Sequence, residues 1–369
     1  APGRRAAALV ERARRQVADA VGAEPREIVW TSGATEANNL ALRGVAAFAR
    51  RAGRACHILT AGTEHASVLE TLAALEREGV EVTRLPVDEE GRVDPEAVAV
   101  ALRPETRLVS IMHVNNETGV RHDLPGIAAA VAGHGTLLHV DAAQSFGKVP
   151  LDLAALPADL VSLSAHKVYG PKGAGALFVR AGPGRRLEPL LRGGGQEGGL
   201  RSGTVATHQV AGMGLAFELA SANDGERDRL QALTDRLRAG LAAHGDVFLI
   251  GGEAPRAPHI LSLVFAGVHA RALQALLPGV ASSVGSACNA PTGKPSHVLR
   301  AMGIPDALAQ SVLRLSVGRF TTEPAVDEAV SMIGEALMRL RQASPLCRDR
   351  QYGASWQSIY GVARLPAAA

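Results

Sequence analysis

The stretch Ser162-Leu-Ser164-Ala-His166-Lys167-Val-Tyr-Gly170-Pro-Lys172-Gly173 decides how this chain is read. It continues the apolar run Ala158-Asp-Leu-Val-Ser-Leu, which reads as a buried strand, so Ser164, His166 and Lys167 are expected to emerge where that strand ends. In open α/β sheets ligands bind in the crevice beyond the carboxyl ends of the strands, and Gly and Pro punctuation positions a lysine to enter it. A lysine so placed forms a Schiff base with a carbonyl cofactor. The other reading is a loop lysine touching water.

Working outward, strands alternate with helical patterns on the amino-terminal side. Residues 4 to 21 have helical spacing, then Glu27-Ile-Val-Trp30 reads as a strand running into Thr31-Ser-Gly33-Ala-Thr35-Glu-Ala-Asn. A strand, a small-residue turn and a helix start leave backbone N–H groups available for a phosphate, with Thr35 as a hydroxyl donor; helix capping explains Ser32 and Thr35 equally well. Strands follow at His57–Thr60, Val80–Thr83 and Leu108–Met112, with helices predicted over 66 to 78 and 94 to 102. This alternation predicts a mainly parallel sheet with helices on its faces. His65 follows one strand and Asn115-Asn116-Glu117-Thr-Gly119 another, as ligands or as turn residues.

Leu137-Leu-His-Val140 leads into Asp141-Ala-Ala-Gln144-Ser. Asp141 caps the next turn or pairs with a protonated heterocyclic nitrogen, keeping a pyridinium charged. An aspartate at one strand end and a lysine at a later one is the combination pyridoxal 5'-phosphate enzymes require. Beyond the strand Gly175-Ala-Leu-Phe-Val179, Arg192-Gly-Gly-Gly-Gln-Glu-Gly-Gly-Leu-Arg-Ser-Gly-Thr204 frees the backbone for close approach to a ligand or a neighbouring subunit, or is a surface loop.

A helical pattern over 210 to 243 bridges into a second, smaller domain, with strands Ile260–Phe265 and Val312–Val317 and helices over 267 to 276 and 324 to 342. There Cys288 sits among Gly, Ser, Asn, Pro and Thr, in Ser282-Ser-Val-Gly285-Ser-Ala-Cys288-Asn-Ala-Pro-Thr-Gly293-Lys-Pro-Ser296. That composition predicts a loop rather than core. A thiol on such a loop can be deprotonated and carried between a substrate and an acceptor; an incidental exposed thiol is the alternative. Cys56, in contrast, is expected to be buried in its strand.

The 369 residues suffice for two domains, and 47% hydrophobic with 20% charged residues is ordinary for a globular protein. A formal charge of +3 with scattered arginines implies no nucleic-acid partner. Cys56, Cys288 and Cys347 lie far apart without CxxC or Cys/His spacing, which argues against a disulfide framework or a zinc site and favours a cytoplasmic setting. No apolar run is long enough to span a bilayer, and the amino end lacks a signal-peptide core.

Together the motifs TSGATEANN, TEHAS, HVNNETG, HVDAAQS, SAHKVYGPKG, GGGQEGGLRSGT, VGSAC and RLSVGRFTT resemble those of the cysteine desulfurases, fold-type I pyridoxal-phosphate enzymes of the class V aminotransferase-like family. The match runs from about residue 4 to about 346. The resemblance implies a large cofactor-binding domain over 1–223, a small α+β domain over 224–345 and a divergent tail over 346–369. It implies that Lys167 holds the cofactor covalently, Asp141 binds the pyridine nitrogen, Gln144 contacts the ring hydroxyl and His65 stacks on the ring. Thr35, Ser164 and His166 would hold the phosphate, joined by Thr204 from the partner subunit of a homodimer. Asn116 would contact the cofactor and, with Arg314, grip the substrate carboxylate, while Lys167 and His65 move protons and Cys288 takes the sulfur of L-cysteine as a persulfide, leaving L-alanine.

The spacing from Cys288 to Pro295-Ser296 resembles the longer-loop branch associated with iron–sulfur cluster assembly and general sulfur supply to an acceptor protein; the shorter-loop branch, with the selenocysteine lyases, fits less well. Two departures stand out. The family's amino-terminal segment before the first helix, with a small-residue and threonine motif lining the pocket, is not matched. After Ser344-Pro-Leu346 the scaffold-docking aromatic tail is replaced by Cys347-Arg-Asp-Arg-Gln and Arg364-Leu-Pro-Ala. The alternatives are a class V aminotransferase or lyase without persulfide chemistry, and an inactive scaffold subunit that only binds a partner.

Overall fold

The structure, a computed structural model, describes residues 2–182, 186–285 and 296–369. The chain forms two units. The first comprises the chain up to Pro86, Val93–Val114 and His122–Asp224; the second comprises Val87–Arg92, Asn115–Arg121 and Gly225–Ala369.

The first unit is built on a seven-stranded sheet: β1 (Ile28–Thr31), β2 (His57–Ala61), β3 (Glu81–Leu85), β4 (Thr106–Met112), β5 (Leu137–Asp141), β6 (Leu160–Ser164) and β7 (Gly175–Val179), in the order β1-β7-β6-β5-β4-β2-β3. From β6 to β3 all neighbours are parallel, whereas β7 runs antiparallel to both β6 and β1. Every residue of β2, β6 and β7 is buried, as expected of strands covered on both faces. The edge strand β3 instead exposes Glu81 and Arg84, charges that discourage pairing with another chain.

Helices α1 (Pro2–Val21) and α2 (Ala34–Arg51) follow the predicted patterns, as do α3 (Ala66–Arg77) and α4 (Pro95–Ala101). Leu40, Ala41, Val45 and Leu72 of α2 and α3 pack with Ile58, Leu108 and Leu177 of the sheet in one core. The short α5 (Leu124–Val131) was not anticipated. The 210 to 243 pattern is two helices, α6 (Thr207–Ser221) and α7 (Glu226–Ala242), broken where Asn223-Asp224-Gly225 removes helix-favouring residues. Some strand expectations are also trimmed: Glu27 closes a 3-10 turn before β1, Val80 precedes β3, and Ala158 and Asp159 precede β6.

In the second unit β8 (Val247–Leu249), β9 (Ile260–Phe265), β10 (Val312–Ser316) and β11 (Ala367–Ala368) form an antiparallel sheet ordered β10-β9-β8-β11. Alternation along β9 and β10 feeds two cores. Leu261, Leu263, Phe265, Leu313 and Leu315 pack with α7 and with α8 (Glu323–Ala343) through Leu237, Ile333 and Leu337. Val264 and Val312 face Leu299, Trp356 and Tyr360 on the other side. Residues 346–369, expected as a divergent tail, lie in this unit. They supply Tyr360, whose hydroxyl accepts the Gly267 N–H at 2.7 Å, and the terminal strand β11.

Candidate active site

The parallel order places the carboxyl ends of β2, β4, β5 and β6 along one edge of the first unit, and β1 ends on the same edge because two antiparallel pairings separate it from β6. Register aligns the residues. Met112 pairs with Asp141, Asp141 with Ser162, Ser164 with Gly175, and Gly175 with Thr31. Lys167 lies three residues past Ser164 in a 3-10 turn, His166–Val168, and is exposed. Asp141 and Lys167 thus stand at neighbouring strand ends, where the crevices of open α/β sheets bind ligands.

The turn between β1 and α2 crosses this edge. Gly33 has φ 154° and ψ 178° and, as a glycine, offers no side-chain cap to the first N–H groups of the 18-residue helix α2. Such an end suits a phosphate. Thr35 is exposed on the first turn, and Glu36 accepts the Ser32 N–H at 2.8 Å. Ser164 Oγ and His166 Nδ1 pair at 2.9 Å. Partial burial of the His166 ring, with Lys167 and Lys172 nearby, holds this imidazole below its usual range. Gln144 is half-buried after β5 and Thr204 is exposed.

Asp141 is buried. Its Oδ1 accepts the Ala143 N–H at 2.9 Å, a turn cap, and its Oδ2 accepts Asn38 Nδ2 at 2.7 Å. The same Asn38 Nδ2 donates to Ser67 Oγ at 2.8 Å, and Ser67 Oγ meets His65 Nδ1 at 2.8 Å. His65 is the N-cap of α3. Asn38 and Ser67, missed in the sequence, join the two anticipated residues. A fully buried amide on an otherwise apolar helix stripe was the available signal.

Two more buried groups lie near Asp141. Glu64 is pushed well above the usual carboxylate range by burial, with Asp141 adding to the shift and the Met112 N–H bond at 2.8 Å opposing it. Burial lowers His139 to about 4 against the pull of Asp141, and the ring sits between Ser110 Oγ at 2.8 Å and Ser162 Oγ at 3.0 Å. The His139 imidazole is therefore uncharged at neutral pH, and burial favours the protonated form of Glu64.

In the second unit Arg314 Nη1 donates to the Asn116 carbonyl at 2.7 Å, and burial lowers its guanidinium, with Glu117 opposing. Asn115 Oδ1 accepts the N–H groups of Glu117 and Thr118 at 2.9 and 3.0 Å, the turn-forming role. Buried Glu117 accepts Ser296 Oγ at 2.6 Å. Cys288 lies outside the described residues. Cys56 is half-buried and precedes β2 instead of lying within it. Among the described residues no helix is long and apolar enough to cross a membrane.

The aminotransferase class-V family model matches residues 1–328. A cysteine desulfurase IscS of Ectopseudomonas mendocina (strain ymp) is 51% identical over 97% of this chain and 88% of its own length. Among solved structures, a NifS-like protein superposes with a TM-score of 0.83 at 36% identity, covering 92% of this chain and 90% of that one. SspA in complex with cysteine superposes at 0.77, also 36% identical, over 87% and 89%. This chain belongs to the aminotransferase class-V family and, within it, to the cysteine desulfurases.

Proposed function

We propose that this chain binds pyridoxal 5'-phosphate at the strand-end edge of the first unit and converts L-cysteine to L-alanine, with the sulfur passing to Cys288. The observation that carries this reading is a buried Asp141, braced by two N–H donors, at the strand end next to the one that Lys167 follows.

The residues present suit the cofactor. The α2 amino end, whose N-cap Gly33 makes no side-chain hydrogen bond, would take the phosphate with Thr35, Ser164 and His166, joined by Thr204 of a second subunit in a homodimer. Asp141 would face the pyridine nitrogen, Gln144 the ring hydroxyl and His65 the ring face, with Asn116 contributing to both cofactor and substrate. When bound, pyridoxal phosphate supplies an electrophilic carbonyl for the substrate amine and a ring that withdraws electrons from Cα and Cβ.

Lys167 would hold the cofactor through its amine and, once displaced by the substrate amine, take the Cα proton at Nζ. Arg314 would receive the substrate carboxylate with its planar fork. The Cys288 thiolate would attack the substrate sulfur; the Sγ–S bond forms as the S–Cβ bond breaks, and Cβ takes a proton to complete alanine. The enzyme persulfide then hands its sulfur to an acceptor protein, for iron–sulfur clusters or other thio-cofactors, in the cytoplasm.

The test is alanine release from L-cysteine by the purified protein with pyridoxal phosphate, alongside its visible absorption. The expected result is a coloured protein whose Cys288→Ser variant keeps its colour and forms no alanine. Unchanged turnover in that variant, or a wild type that takes up no cofactor, overturns the reading.

A further inference from the structure

Asn38 is wholly buried on α2, five residues past its Gly33 cap, among the apolar residues Ala37, Leu40 and Ala41 of the same helix. Its Nδ2 bridges Asp141 Oδ2 at 2.7 Å and Ser67 Oγ at 2.8 Å. The orientation is set by chemistry, because only the NH2 end of an amide can face a carboxylate oxygen. Asn38 Oδ1, in turn, is buried with no hydrogen-bond partner among the described residues. Leaving a buried carbonyl unmatched is costly, and an apolar side chain would avoid it; the compensation lies at the NH2 end.

The bridge continues to His65. The Ser67 backbone N–H donates to His65 Nδ1 at 3.1 Å, and a backbone N–H can only donate, so Nδ1 is the acceptor nitrogen. Ser67 Oγ receives Asn38 Nδ2 and gives its own hydrogen to the same Nδ1 at 2.8 Å. The ring hydrogen of the neutral imidazole is left to Nε2.

We propose that Asn38, acting through Ser67 Oγ, is a positioning residue that locks the Asp141 carboxylate and the His65 imidazole, held by the Ser67 backbone with its ring hydrogen on Nε2, into one register. The functional part of this rests on the reading of the site above, in which Asp141 and His65 address the nitrogen and the face of one ring. Without that donor the Asp141 carboxylate is free to turn away, and whatever it holds is expected to bind roughly tenfold or more weakly because orientation must be restored on binding.

Histidine-ring nitrogen NMR on the cofactor-free wild type reads the tautomer directly. Nε2–H is expected to dominate at His65; an Nδ1–H ring, or an even mixture, overturns the proposal. The second measurement is pyridoxal phosphate affinity by visible titration of Asn38→Ala, Ser67→Ala and a control, Leu40→Ala, in which a buried residue of the same helix is truncated away from the hydrogen-bonded chain. Asn38→Ala is expected to bind about tenfold or more weakly, Ser67→Ala to keep the Nε2–H tautomer through its backbone N–H but to lose the Oγ link and with it part of the affinity, and Leu40→Ala to melt lower with affinity within about twofold of wild type. Equal affinity in Asn38→Ala and wild type overturns the proposal, as does an equal loss in the control. A wild type that takes up no pyridoxal phosphate sinks the reading of the site, while the His65 ring-nitrogen signals of cofactor-free Asn38→Ala, expected to shift from wild type and refuting the proposal if they do not, still decide the role of Asn38.

Discussion

Gly33 and Gly175 meet backbone to backbone: a Cβ on Gly175 would lie 2.5 Å from Gly33 Cα and 2.7 Å from both Gly33 C and Leu163 O. Only glycine lets β7 approach the turn that starts α2, because the atoms in the way belong to main chain that cannot rotate aside. Gly175→Ala is expected to destabilise the protein by about 1–3 kcal/mol and to push the α2 amino end out of place. Thermal melting and a pyridoxal phosphate titration check both; unchanged affinity would detach that helix end from the phosphate.

Glu197 ties the glycine-rich segment to the first strand. Its carboxylate takes Arg14 Nη1 and Nη2 at 2.8 Å each and the Trp30 N–H at 2.9 Å, from a backbone held at φ 53°. Burial works against the Arg14 charge, but Glu197 outweighs it and raises the guanidinium above its usual value. Glu197→Ala strands a mostly buried cation and an N–H, and is expected to cost on the order of 3 kcal/mol. A chemical denaturation midpoint indistinguishable from wild type would refute this.

His139 sets a pH dependence of stability. Its folded value of about 4 lies below the reference of 6.5, so between those limits the unfolded chain holds a proton the folded one refuses. Stability therefore falls as pH drops from about 6.5 toward about 4, by on the order of 3 kcal/mol from this group. His139→Asn should flatten that part of the curve. Parallel melting-temperature profiles for the variant and wild type across the window would contradict the assignment.

Cys56 should be chemically quiet. Burial pushes its thiol up to about 11, with Arg107 pulling the other way, so hardly any thiolate exists near neutral pH. Alkylation of the native protein followed by peptide mass spectrometry is expected to leave Cys56 unmodified, and rapid labelling there would be the contrary result.

Ser296 joins a helix cap to a buried acid. Its Oγ accepts the Val298 and Leu299 N–H groups at 3.1 and 3.3 Å and donates to Glu117. Ser296→Ala is expected to cost about 1–2 kcal/mol. Ser296→Thr, which keeps the hydroxyl, should recover most of it in the same melting assay.

Strand ends were the legible part of this fold. Lys167, Asp141 and His65 each follow a short apolar run bounded by polar or glycine residues, and that boundary is visible locally. The reversed direction of β7 was also within reach, since only ten residues, 165–174, separate it from β6, too few for a parallel crossover. The pairing of Asn38 with Asp141 was not, because 103 positions separate them and an asparagine on a helix carries no mark of what it faces. Strands of two and three residues, β11 and β8, are too short for alternation to show.

The turn at Asn115–Arg121 belongs to the second unit although more than a hundred residues separate it from Gly225. It supplies the Asn116 carbonyl to Arg314 and the Thr118 carbonyl to Arg256 Nη2 at 2.6 Å. A polypeptide cut at Gly225 would take both arginines and leave their acceptors behind. The carboxy-terminal piece is thus no autonomous module, and shuffling it between relatives as a cassette would require transplanting that distant turn with it.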